Sequence, residues 1–123
     1  MRYDPAVGPN PTEWLELDDG ERVVVVRQYH KRARARAGNP EVHAIIHATV
    51  ETQLAEGHPD VMAAFERLSR EGLDRHDVIH AIGSVLAEEI YDVMKSQRVH
   101  DAREYARRLK ELTAEAWLRG PEE

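Results

Sequence analysis

NPEVHAIIHATVETQLAEG, residues 39–57, carries helix punctuation at both ends, and its reading decides the fold. Asparagine before proline puts an N-cap ahead of a residue whose fixed φ suits the first helical position. Gly57 supplies the stop. At 100° per residue His43 and His47 lie about 40° apart on a stripe shared with Val50 and Leu54, and Glu51 sits on its flank. A second segment, HDVIHAIGSVL at 76–86, repeats the arrangement. There His76 and His80 share a stripe with Gly83 and Ala87, two small residues that admit a neighbouring helix. HAIIHA and HDVIHA agree at four of six positions with an offset of 33 residues. That offset suggests a duplicated helical hairpin, whose pseudo-twofold would gather all four imidazoles.

Working outward, the punctuation continues. Pro59-Asp60 opens a helix that ends at Gly72, with Leu73 placed for a Schellman contact. Asp74 caps a helix over 75–97, and Asp101 caps another that runs to Leu118 and closes at Gly120-Pro121. Upstream, residues 1–11 are rich in loop formers and read as an irregular arm. Residues 13–26 admit two structures. Asp19-Gly20 between apolar runs is a hairpin signal, whereas Asp18 with Glu21 three residues on is a capping box. The helix is preferred, because the valines of 23–26 run on into strong helix formers up to Gly38. Val23, Val26 and Tyr29 then share a face, with His30 at its margin, read as a surface imidazole, the alternative being that it joins the site from this helix. The short connections predict an all-α, antiparallel bundle of four or five helices, one domain over 1–123.

Composition limits function. The 123 residues hold 33% charged and 41% hydrophobic side chains, and no apolar run reaches the roughly 18 residues of a membrane span. A net charge of -6 disfavours nucleic acid and anionic membrane as partners. The local exception, RQYHKRARARAG, clusters Arg27, Lys31, Arg32, Arg34 and Arg36 and reads as a solvated last helical turn, an anion or RNA contact being the alternative. The opening MRYDPAVGPNPTEW has no secretory apolar core, so the cytoplasm is the expected compartment. With no cysteine, any metal must sit on nitrogen and oxygen.

Seven histidines scattered over 123 positions would give fewer than one i,i+4 pair by chance, against the two found here. Two imidazoles at that spacing can reach one ion from a single helix. Helix N-termini near His43 and His76 should favour the neutral, ligating form. Asp77 is placed to accept a hydrogen bond from the second nitrogen of His80. The candidate ligands are therefore His43, His47, Glu51, His76 and His80, for a divalent transition metal such as zinc, iron or nickel, with copper also suited. Were one coordination position left open, Glu51 would be the candidate general base for hydrolytic or redox chemistry. His58 and His100 read as incidental.

Asn39-Pro40, His43, His47, Glu51 and Gln53, followed by His76, His80, Leu86 and Glu88, resemble a small bacterial all-helical family classed as a domain of unknown function, over about residues 39–95. In that family each half reads His-x3-His-x3-Glu. The resemblance implies a symmetrical histidine and carboxylate site, similar to two-metal centres of helical bundles. Here Glu51 fits, but Ser84 holds the matching place in the second half, and Glu88 points about 120° away from His76. One ion on three or four histidines with Glu51 is the simpler construction. The resemblance implies a fold and a site but no reaction.

The competing class is an interaction module, a homodimer in which the histidines form a polar seam. Tyr105, Leu109, Leu112 and Trp117, and Val61, Phe65 and Leu68, are its candidate faces, although both stripes read more naturally as core.

Overall fold

Seven side-chain caps set where the helices begin. The computed structural model describes residues 1–34, 38–97 and 99–120, and these form seven helices and no strand. They are α1 (Pro11–Glu16), α2 (Asp19–Ala33), α3 (Pro40–Ala55), α4 (Pro59–Arg70), α5 (Arg75–Ser96), α6 (Ala102–Glu111) and α7 (Ala114–Arg119). Asn39, Asp74 and Asp101 cap α3, α5 and α6 through side-chain oxygens, as the sequence predicts. At the other end of α4, Leu73 N–H bonds to Leu68 O at 3.2 Å and Gly72 N–H to Ser69 O at 3.1 Å, with Gly72 at φ +109°. That is the Schellman pattern. No helix among the described residues is long and apolar enough to cross a membrane.

The ambiguity over residues 13–26 resolves to helix. Asp18 Oδ1 accepts the Glu21 N–H at 2.8 Å while Glu21 Oε1 accepts the Asp18 N–H at 3.0 Å, so both halves of the capping box form. Asp19-Gly20 is spent in the first turn of α2. The helix stops at Ala33, earlier than expected, with Arg34 left-handed at φ 54°. Arg36 lies outside the described residues. Of the other cations there, Arg27 pairs with Glu41 at 2.8 Å and Arg32 donates to the Tyr3 carbonyl at 2.8 Å.

Two expectations need correction. Residues 10–16 contain an unforeseen helix, α1, capped by Asn10 Oδ1 on the Glu13 N–H at 3.1 Å. The helix expected from Asp101 to Leu118 is broken at Leu112 and Thr113. Thr113 is extended (φ -127°, ψ 154°) and caps Ala116, and Glu71 Oε1 takes the Ala114 N–H at 2.8 Å. Two capped ends here replace one continuous turn.

Burial follows two clusters that meet at α3. One joins Val50 to Val61, Leu68, Val78, Ile79, Ile82, Tyr105 and Leu109 from α4, α5 and α6. The other joins Ala44 and Ala48 to Tyr3, Trp14, Val25 and Val26 from the arm, α1 and α2. The two stripes proposed as partner faces are mostly core: Val61, Leu68, Tyr105 and Leu109 are buried, and Phe65, Leu112 and Trp117 pack against them. Helix α3 thus lies between α2 and α5 and packs on both. Gly83 explains how closely α5 approaches it. A Cβ at that position would stand 3.0 Å from Ile46 Cγ2, so a larger residue would require the Ile46 side chain to give way. Position 63, which lies 33 residues after His30, is alanine, so the sequence offset does not extend to a histidine on α4.

Candidate metal centre

Because α3 is flanked on both sides, its histidines meet others from two helices. His43 and His47 of α3 face His76 and His80 of α5, and His30 of α2 joins them. Ring centroids are 4.7 Å apart for His30 and His43, 5.5 Å for His30 and His47, and 5.2 Å for His43 and His80. His47 lies 5.3 Å from His80 and 5.6 Å from His76, and His76 lies 4.3 Å from His80. A metal–nitrogen bond of about 2.0–2.1 Å puts an imidazole centroid roughly 3.2 Å from the ion, so rings sharing an ion stand roughly 4.5–5.2 Å apart. The observed spacings bracket that range. The ligand atoms of His30, His43 and His47 lie within 4.8 Å of one another, as do those of His47, His76 and His80. His47 belongs to both sets.

Four nitrogens in the cluster have no hydrogen-bond partner and are sealed from solvent: His30 Nε2, His47 Nδ1, His76 Nε2 and His80 Nε2. Native proteins rarely leave one such atom unsatisfied, let alone four together. Burial, followed by repulsion from the neighbouring imidazoles, lowers the His47 pKa to about 2 and those of His30 and His80 to about 4. His43 is lowered by burial and by His76. Neutral rings carry the lone pair that a metal needs.

Tyr3 settles which nitrogen of His47 is free. Its hydroxyl lies 2.8 Å from His47 Nε2 and makes a short hydrogen bond to Glu51 Oε2. Burial and the Glu51 carboxylate raise the Tyr3 pKa far above its usual value, so the phenol keeps its single proton. A carboxylate only accepts, so that proton goes to Glu51, and the phenol oxygen accepts from His47 Nε2–H. His47 Nδ1 is left with its lone pair in the cluster. Arg75 anchors the chain from behind, donating to Glu51 at 2.8 and 2.7 Å and to the Pro5 carbonyl at 2.9 Å. Gly8, at φ +83°, lies against that guanidinium so closely that a Cβ would stand 2.5 Å from it.

The structure therefore brings together His43, His47, His76 and His80 but places Glu51 elsewhere. Its two oxygens are bonded to Arg75 and Tyr3, and it belongs to neither set of clustered ligand atoms. Asp77 does not bond His80; its N–H is spent on the Asp74 cap. Ser84 Oγ donates to the Ala81 carbonyl at 2.6 Å, and Glu88 is exposed near Arg108. His58 caps α4, and His100 lies 3.7 Å from Glu89, away from the cluster. His30, ranked from the sequence as a surface imidazole before a ligand, joins the cluster, and Tyr3 is the contributor that sequence reasoning missed. For His30 a signal existed, since it follows Val26 by four residues and Val23 by seven, on the core face of α2. For Tyr3 there was none.

We predict that Tyr3→Phe lowers metal affinity about 10–100-fold, the usual effect of losing an outer-shell partner. It should also destabilise the fold by about 1–3 kcal/mol, because His47 Nε2–H loses a buried acceptor. Metal titration and denaturant unfolding measure the two effects separately.

Beside the histidines lies a pocket of about 400 Å³ lined by residues of α3 and α5 and by Trp117. No curated protein and no solved structure matches the chain. A family model does match, across residues 11–111, and with it the helices carrying all five clustered histidines: the chain belongs to DUF1841, a domain of unknown function.

Proposed function

We propose that this domain binds one divalent transition-metal ion through imidazole nitrogens contributed by α2, α3 and α5. The observation that carries the reading is the set of four buried, unpartnered imidazole nitrogens around His47. A histidine seam built only to fix helix register would pair those atoms, because a buried orphan costs free energy and earns nothing. A single ion is preferred to two on two grounds. His47 is common to both ligand sets, yet with Nε2 bonded to Tyr3 it has only Nδ1 to offer. The cluster also contains no carboxylate, so nothing would offset the charge of a second dication. An all-imidazole set suits zinc, copper, nickel or iron and not magnesium or calcium.

A pocket lined by His43, His47 and His80 runs beside the cluster, and an ion seated on its side would be open to ligand exchange. Protein purified without an affinity tag should carry close to one equivalent of metal per chain, and chelator should lower its melting temperature. Metal-free protein that takes up no zinc, copper, nickel or iron, with a melt indifferent to chelator, would return the histidines to a purely structural role.

A further inference from the structure

We propose that the pocket beside the histidines binds a small molecule with an apolar body and one metal-ligating head; this rests on the metal reading above. Its walls include Val42, Ile46, Ile79, Ala87 and Trp117, and among the described residues no charged side chain lines it. Outside the histidines, Ser84, Asn39 and the Trp117 indole bring polar atoms to it, and the oxygens of the first two are already engaged. Ser84 Oγ donates to the Ala81 carbonyl at 2.6 Å, and Asn39 Oδ1 accepts the Val42 N–H at 3.2 Å as the α3 cap. A guest would therefore find few partners along its body, chiefly the Asn39 amide NH2 and the Trp117 indole N–H, and most polar groups desolvated there would stay unpaired.

The histidines are the exception. His43, His47 and His80 line the same pocket, and two of the sealed, unpartnered nitrogens, His47 Nδ1 and His80 Nε2, belong to them. An ion held by those atoms would be the strongest polar partner in the pocket, so the guest's ligating atom belongs at that end. With about 400 Å³ the space is at the small end for ligand pockets and suits one ring or a short chain. Bulky, multiply charged substrates such as nucleotides have nothing to hold them here. Gly83 helps make the room, since α5 presents only hydrogen where it passes Ile46.

The test loads the tag-free chain with cobalt(II) and follows its visible bands while adding imidazole or 4-phenylimidazole. Both carry the same ligating head, but only one carries an apolar ring. The expected result is that 4-phenylimidazole saturates at a concentration about tenfold lower or less, through burial of its ring. Ala87→Phe fills the pocket from an exposed wall position and should abolish that preference while leaving the initial cobalt spectrum intact. Val42→Phe, also at an exposed position, gives an independent second variant. Equal concentrations for the two probes would overturn the proposal, as would equal binding of 4-phenylimidazole to the metal-free chain or a preference that survives both variants. A chain that takes up no cobalt would overturn the metal reading and this one with it, whereas a cobalt-loaded chain indifferent to the phenyl ring would overturn this one alone.

Discussion

His47→Ala is expected to abolish stoichiometric metal uptake, the largest single effect open to this chain. His47 is the one residue common to both ligand sets and the most deeply buried of the five, at 2% exposure. Its Nδ1 is also the only ligand atom whose tautomer is fixed from behind, by the Tyr3 hydroxyl. The affinity loss should exceed the roughly 10–100-fold expected when an outer-shell partner alone is removed. Metal-linked stabilisation goes with it, about 2.7 kcal/mol when the ion is present at a hundred times its dissociation constant. His80→Ala and His30→Ala each delete one nitrogen from one set and should lower occupancy without abolishing it. His100→Ala should change nothing, since that ring lies beside Glu89. Elemental analysis after dialysis against one equivalent of metal ranks the four variants, and circular dichroism checks that each still folds. A metal content that His47→Ala leaves unchanged would remove the centre from consideration.

Much of this was legible because caps and i,i+4 pairs are local. Asn39-Pro40, Asp74 and the Asp18–Glu21 box mark three helix starts through side chains within three residues of the N–H groups they satisfy. Asn10-Pro11 is the same signal as Asn39-Pro40, and it was obscured only because α1 is short. The break at Thr113 is different in kind. It depends on Glu71, 43 residues away, capping Ala114, and no local pattern contains that contact.

Glu51 lies apart from the clustered imidazoles although it follows His43 by eight residues on the same helix. An i,i+4,i+8 row advances by about 40° at each step, so a residue eight positions after His43 has turned about 80° around α3. That rotation carries the carboxylate out of the imidazole cluster and onto Arg75 and Tyr3. Its place two bonds behind His47 suits an orienting role better than a coordinating one. Tyr3 was invisible for the opposite reason. Its position follows from the arm folding over Arg75 and Arg32, which bond the carbonyls of Pro5 and Tyr3.

Without metal, the chain should lose stability steeply as pH falls from about 6.5 towards 4.5. His30, His43, His47 and His80 all have folded pKa values below the ordinary 6.5, with His30 and His80 near 4 and His47 near 2. Below pH 6.5 the unfolded chain therefore binds more protons than the folded one. Stability is thus highest above 6.5 and falls as acid is added. Each proton of difference contributes a slope of at most about 1.4 kcal/mol per pH unit, less for the rings that solvent partly reaches. The paired carboxylates act in a separate window. Glu104, lowered to about 2 by its bonds to Arg107 and Arg108, loses its contribution only below about 4.5. The interval between 4.5 and 6.5 consequently reports on the histidines. Denaturant midpoints measured across it in the presence of chelator should fall with pH, and His47→Gln, which cannot titrate, should remove close to one proton from the slope. A bound ion competes with the same protons for the same lone pairs, so metal should shift the fall to lower pH. A midpoint that stays flat through this interval would mean that the imidazoles are solvated in the folded chain, and the buried cluster would not survive that result.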